Sequence, residues 1–375
     1  MGSLVRLKNW DGEIIALFAG TGRGLTGGGM QGYSYYKQLR KPGEWMLRID
    51  GNDERIGLFL LDYQIEFWRS DPAGGLGWYL GFEGFVRDWE FTLDESGKEV
   101  FIARGRGYND LLLAEPIRYY AGSEYATKSG ACETVAKAYV NENIGPAATS
   151  PPRNRSGVMP GLTIEADRGT GATWSGGRPG KNLLDVLVEL ADYAPGDFMV
   201  VGTGPAAYEF QWRANQWGED KTWGNADGRP AVVFDPLLGN VRSLNYVYDR
   251  RNEINTVDVL GQGSGDQRRV VTRTSGAEND SPWARRAVVR DARNTYDTDG
   301  LNRSGDDVID KQRAKIKISV TVAQTPATRY VRDWDIGDLP TVRYRSANVP
   351  QKIVGVQVSV DDNGVETIQG VMEDP

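Results

Sequence analysis

The sequence predicts a mainly β protein that carries a small α/β insertion. Three observations lead there. Apolar and polar residues alternate with period two through the first and last thirds of the chain. Two helical apolar stripes stand between those thirds. Glycine accounts for 47 of 375 residues, against ~7 % in an average chain, which suits tight turns between short strands. At this length, domain-size statistics allow about two or three domains, with a core large enough to need no staples.

In the N-terminal third, Trp45, Leu47 and Ile49 fall on one face, with Glu44, Arg48 and Asp50 on the other. Tyr63, Ile65 and Phe67 alternate with Gln64 and Glu66, and Trp89, Phe91 and Leu93 with Asp88, Glu90 and Thr92. These read as half-buried strands, so Trp45, Tyr63, Trp89 and Phe91 are expected in the core. Turn residues separate them at Asp50-Gly51-Asn52-Asp53, Asp71-Pro72-Ala73-Gly74-Gly75 and Asp94-Glu95-Ser96-Gly97. An antiparallel barrel or sandwich over residues 1–120 is the expectation.

The period then changes. Cys132, Val135, Ala136, Tyr139 and Val140 form one helical stripe, and Leu183, Val186, Leu187, Leu190 and Ala191 a second that ends at Ala194-Pro195-Gly196. Phe198–Val201 and Tyr208–Trp212 read as a hairpin around Gly202-Thr203-Gly204-Pro205. The Pro-, Gly-, Ser- and Arg-rich stretch 145–180 reads as an ordered excursion with a short strand near Leu162-Thr163-Ile164. Residues 121–227 are therefore expected to form a small α/β domain with two helices.

From about Gly228 strands return. Val257 and Val259 mark one. Ile316, Ile318, Val320 and Val322 form the clearest alternation, and Val354, Val356, Val358 and Val360 another. The latter turns at Asp361-Asp362-Asn363-Gly364 into a return strand over 365–371. Residues 264–305 are polar and rich in Asp and Arg, so a long loop or exposed hairpin is expected there, with a short helix over 306–314. The last domain is expected over 228–375, with a polar excursion at about 264–312.

Composition excludes whole classes of chemistry. With no histidine, Ser-His-Asp triads, Cys-His dyads and His-ligated metals are out. The lone Cys132 forms no intrachain disulfide, redox pair or cysteine zinc site. A formal charge of −7 and a pI near 5 argue against a nucleic-acid binder of strongly basic type. No apolar run approaches a membrane span, and residues 1–12 lack a signal peptide's apolar region. A soluble chain made in the host cytoplasm is expected.

Several motifs invite over-reading. Gly22-Arg23-Gly24-Leu25-Thr26-Gly27 fits GxGxxG after the apolar run 14–18, yet Gly28, Gly29, Gly32 and Tyr33-Ser34-Tyr35-Tyr36 follow, which is no helix start. Gly180-Lys181-Asn182 lacks the rest of a phosphate loop. Asp333-Trp334-Asp335-Ile336-Gly337-Asp338 offers a carboxylate pair for glycoside chemistry, but reads more simply as capped turns before a strand. Asp297-Thr298-Asp299-Gly300 is half a calcium loop without its closing glutamate. Trp212, Trp217 and Trp223 are candidates for an exposed interface, with core packing the competing reading. Arg250-Arg251, Arg268-Arg269 and Arg285-Arg286 read as solvated faces, with interface rims second. The expectation is no catalytic, cofactor-binding or metal-ligating residue.

Three stretches carry a family resemblance. They are Trp45 to Tyr120, running through Gly84-Phe85-Val86-Arg87-Asp88-Trp89 to Gly105-Arg106-Gly107-Tyr108-Asn109-Asp110-Leu111-Leu112; Tyr246 to Val259 with Gly261-Gln262-Gly263; and Asp333-Trp334-Asp335-Ile336-Gly337-Asp338-Leu339-Pro340-Thr341-Val342 before the final hairpin. In layout the chain resembles the tail-hub proteins of long-tailed phages (siphoviruses), the Tal-like or baseplate-hub family. The resemblance implies two tail-tube-like β-barrels with α/β elements beside them, and admits a later strand from about 226–240 in the first barrel. It implies a homotrimer whose six barrels form a pseudo-hexameric ring joining the tail tube to a trimeric tip. The implied partners are the distal tail or tail-tube protein, the tape-measure C-terminus and other tip proteins or fibres. DNA only passes through the channel, where acidic walls would repel its phosphates. Many hubs carry a C-terminal extension with lytic or sugar-binding modules, whereas this sequence stops at Pro375, which takes away the usual place for an enzyme. The expected role is thus a structural virion protein at the tail tip, with a glycan-binding or glycan-cleaving module as the alternative and a nucleotide-dependent enzyme as a third reading.

Overall fold

The computed structural model describes residues 2–21, 29–93, 97–118, 126–148, 159–178, 180–293, 297–345 and 347–374. The chain divides into two compact units, the first from residues 1–243 and 320–373, the second from 244–319 with Asp374. These divisions fall elsewhere than the steps at 120/121 and 227/228 expected from composition.

The first unit is built on one large sheet. Its N-terminal strands are β1 (Gly2–Lys8), β2 (Ile14–Thr21), β3 (Met30–Gln38), β4 (Glu44–Asp50), β5 (Gln64–Asp71), β6 (Leu76–Leu93) and β7 (Glu99–Gly107). In β4 the expected faces are realised: Trp45, Leu47 and Ile49 are buried, Glu44 and Arg48 exposed. The C-terminal hairpin β22 (Lys352–Val360) and β23 (Glu366–Glu373) joins this sheet, because β22 pairs antiparallel with β3, Val358 opposite Tyr35. The order runs β2-β1-β5-β6-β7-β4-β3-β22-β23 and ends with β19 (Lys315–Val322) and β15 (Val241–Asp249), the strands in which the unit boundaries fall.

The mainly β class with an α/β insert therefore holds, with one difference. The first and last thirds share a sheet instead of making separate ones, and among the described residues its hydrogen-bonded path stays open. The strand that joins the N-terminal part is β22, not one from 226–240: β14 (Val233–Phe234) and β13 (Asp220–Lys221) pair instead with β20 (Leu339–Tyr344), whose other partner is β21 (Ala347–Pro350). Edge matching chooses such partners, and local alternation is blind to it.

Within the same unit lies the α/β part. It comprises β8 (Lys128–Ala131), α1 (Cys132–Asn143), β9 (Leu162–Ile164), β10 (Thr173–Gly176), α2 (Leu183–Tyr193), β11 (Gly196–Gly204) and β12 (Ala207–Ala214). Both expected stripes are buried, and they pack on Phe198, Phe210 and Trp212 of the hairpin. Asn182 caps α2 by accepting the Leu184 N–H at 3.0 Å.

The second unit is a three-stranded sheet with one helix. β16 (Thr256–Leu260) lies between β17 (Val270–Thr274), antiparallel, and β18 (Ala287–Asp291), parallel. Helix α3 (Thr298–Lys311) packs on it through Leu301 and Ile309 against Val257 and Val259. Gly305 allows that approach, since a Cβ there would stand 2.9 Å from Val259. The long loop or exposed hairpin expected over 264–305 is thus corrected to two largely exposed strands, which pair with β16 and not with each other, and the start of a helix. The helix begins at Thr298, where Asp297 caps it, and its stripe Leu301, Gly305, Val308, Ile309 is hidden by a missing side chain at Gly305.

Candidate functional site

The residues that suggested chemistry are occupied by structural work. Asp333 accepts the Arg329 backbone N–H at 2.6 Å and two bonds from Arg332 at 2.9 and 2.7 Å. Burial pushes its carboxyl up, but Arg332 and that N–H outweigh burial and hold it below the usual range. Asp335 accepts the Ile336 N–H, and Asp338 accepts those of Glu219 and Asp335 while pairing with Lys221 at 2.9 Å. This turn cluster buries Trp334 and Ile336. It shows no carboxylate pair facing an aromatic groove.

Asp297 donates no ligand set either: its side chain accepts the Gly300 N–H at 2.6 Å as the α3 cap. Among the described residues no group of three or more His, Cys, Asp or Glu is placed to hold a metal ion. Lys181 pairs with Glu189 at 2.5 Å, beside a helix cap and not a phosphate loop. Residues 22–28 of the glycine run lie outside the described residues. Where the description resumes, Gly29 leads into strand β3, whereas a dinucleotide fingerprint opens a helix.

Ionic anchors organise the first unit. Asp197 is 1 % exposed and binds Arg40 at 2.9 Å, Lys352 at 2.6 Å and the Trp217 N–H at 2.8 Å, tying β11 to the ends of β3 and β22. Burial pushes Lys352 below its usual range, against the pull of Asp197. Glu133 pairs with Lys137 at 2.5 Å and accepts from the Thr170 N–H and hydroxyl. Burial opposes its ionisation, yet these partners hold it at about 2. Arg69, paired with Glu366, lies among Tyr33, Tyr35 and Tyr79; burial raises all three phenols, Tyr33 to about 12.

A cleft of about 100 Å³ lies between Lys37, Lys41, Glu83 and Val200. That is below the ~300–1,000 Å³ of ordinary small-molecule sites. Two of its polar groups are already matched: Glu83 accepts the Gly202 N–H at 2.6 Å and Asn109 the Val200 N–H at 2.6 Å. Burial pushes Glu83 up, against that N–H.

What remains is surface. Here one expectation is reversed and one open pair of readings is decided. Trp89 and Phe91, expected in the core, are 46 % and 47 % exposed, because β6 runs on past β5; each ring meets Phe101, and the two meet each other edge-on. Trp212, open between an exposed interface and core packing, takes the second: it is 1 % exposed, stacked on Phe198 in the α/β core. Trp217 is half-buried and touched by Arg213, and Trp223 is exposed as expected. Tyr63 is half-buried and meets the exposed Trp10 edge-on. Of the arginine pairs, Arg250 and Arg251 bind Glu253 and Asp249, and Arg268 binds Asp291 and the Gly261 carbonyl. Arg285 and Arg286 are exposed ahead of β18.

Comparison with known proteins gives a consistent frame. The family model described as Siphovirus ReqiPepy6 Gp37-like protein matches residues 40–371. A search of curated proteins finds no match. Among solved structures, the 43 kDa tail protein of prophage MuSo2 from Shewanella oneidensis is similar at a TM-score of 0.60 and 14 % identity, over 100 % of this chain and 97 % of that one. Prophage tail protein gp18 from Listeria monocytogenes is similar at 0.54 and 11 %, over 100 % and 95 %. A chain of the half-lidded Francisella PdpA-VgrG complex is similar at 0.53 and 8 %, over 100 % of this chain and 58 % of that one. These likenesses are of fold. Among the described residues no helix is long and apolar enough to cross a membrane.

Proposed function

This chain belongs to the Siphovirus ReqiPepy6 Gp37-like protein family, and from that premise we propose that it is a structural protein of the phage tail, the hub at the tail tip. It assembles as a homotrimer whose pseudo-hexameric ring joins the hexameric tube to the trimeric tip and passes DNA. Its neighbours are the distal tail or tube protein, the tape-measure C-terminus and further tip proteins. The observation that carries this reading is the fold shared along essentially the full length of both chains with a prophage tail protein. A similar chain is part of the Francisella PdpA-VgrG complex, which supports a partner-binding role. The stretches 1–120, 121–227 and 228–375, the last with a polar excursion at about 264–312, are proposed as the chain's domains.

The absence of a free carboxylate pair at 333–338 supports a non-enzymatic role over a glycan-cleaving one. Light scattering on the purified chain, with negative-stain images of the same peak, tests the reading. Three chain masses and a central hole are expected. A chain that stays monomeric at all concentrations and alone carries glycan-hydrolysing activity overturns it. Millimolar NAD or ATP is expected to leave the melting point unchanged, since a bound nucleotide would raise it by linkage.

A further inference from the structure

Two strands, one in each unit, violate the rule that strand edges are protected. β6 pairs with β5 only up to Phe85, and the Asp62 N–H still reaches Val86. Beyond that, among the described residues, β7 is its only partner strand, and Asp88 to Leu93 are exposed on both faces. One face presents Trp89, Phe91 and Leu93. Among the described residues β18 pairs only with β16, and all five of its residues are exposed, Val288 and Val289 among them. Folded proteins shield such edges with bulges, inward charges or a covering element, because bare edges recruit other strands.

We propose that the projecting end of β6 in one copy of this chain pairs edge to edge with β18 of a second copy; this rests on the self-assembly proposed above. The lengths match, six residues against five. So does the charge. Asp88, Glu90 and Glu99 flank the β6 end; Arg104 pairs with both Asp88 and Glu90, and Lys98 adjoins Glu99, so acid exceeds base there by one. Arg285, Arg286, Arg290 and Arg293 flank β18, and the one acid there, Asp291, is already held by Arg268 and Arg293. Pairing two β6 ends, or two β18 edges, would set like charges side by side, which is costly. Pairing β6 with β18 sets acid against base and lays aromatic rings beside valines, a favourable cross-strand combination. The contact uses two different patches, so it is head-to-tail and closes into a ring when the rotation allows.

Facing residues on paired strands bring Cβ atoms within disulfide reach. Phe91→Cys and Val289→Cys sit near the middle of the two strands, so they meet in either strand direction. Cys132 is buried, leaving the introduced thiols as the reactive ones. The two single variants are mixed in equal amounts, oxidised, digested and analysed by mass spectrometry. The 91–289 link is expected to exceed the 91–91 and 289–289 links severalfold. In parallel, Arg285→Glu with Arg290→Glu is expected to lower the assembled mass, and adding Asp88→Lys with Glu90→Lys to the same chain to restore it. Unchanged circular dichroism and melting point confirm that these exposed changes leave the fold intact. Assembly that persists without a 91–289 link and ignores charge reversal overturns this contact and leaves the self-assembly reading standing. A chain that is monomeric throughout, with no link, overturns both.

Discussion

At the residue scale, buried charge decides more than buried carbon. Asp197 satisfies two cations and a backbone N–H from a fully enclosed position. Removing it leaves the buried Lys352 without its carboxylate while Arg40 keeps Asp192, and stranding a buried charge costs about 3–5 kcal/mol. Asp197→Ala is expected to lose that much in urea unfolding; a loss below about 1 kcal/mol would show that Lys352 finds another partner. Glu133 gives a pH signature. Its folded-state value of about 2 lies below the ordinary carboxylate value of 4.5, so its contribution is complete above pH 4.5 and is lost as the pH falls toward 2. Glu133→Gln is expected to be less stable at pH 7 and to flatten the acid arm of the stability curve. The tryptophans separate by the same logic of environment. Trp212→Ala is expected to cost about 3–5 kcal/mol through the cavity it leaves, and Trp223→Ala less than about 0.5 kcal/mol. None of these contrasts is written in local sequence. Trp212 and Trp89 both sit in alternating strands, and only what lies across the strand buries one and bares the other.

At the element scale, β6 shows how one strand serves two neighbours. It leaves β5 at Phe85 and takes up β7 from Gly84, and its register shifts between Val86 and Asp88. Gly105 sits in β7 at this crossing. A Cβ there would stand 1.8 Å from the Phe85 carbonyl oxygen and 2.7 Å from the Trp45 indole nitrogen. Gly105→Ala is expected to cost at least ~3 kcal/mol, at the upper end for overpacking, and to release the indole N–H, which donates to the Phe85 carbonyl at 3.1 Å. Thermal unfolding with indole fluorescence reads both. Helices α1 and α2 were legible because a period near 3.6 with five apolar positions leaves few alternatives. Strands β17 and β18 were not, because solvent covers most of their side chains and removes the alternation that would have announced them.

At the scale of the whole molecule, the expected behaviour is assembly: three chain masses in solution, with the β6 end and β18 as one contact. The sequence by itself determined the β-rich class, the two-helix insert and the absence of histidine- or disulfide-based chemistry. Each of these follows from composition or from short-range periodicity, which a chain carries before it folds. It also made capped turns the simpler reading of the run from Asp333 to Asp338, since Asp beside Gly and backbone N–H groups acts locally. Only the tertiary structure decided that β22 completes the sheet beside β3, that Asp197 gathers Arg40 and Lys352 from residues far away in sequence, and which aromatic rings are left bare. Those outcomes depend on which edges and charges meet across long stretches of chain. Strand pairing of that kind is selected by the whole set of competing edges, and no local pattern encodes its winner.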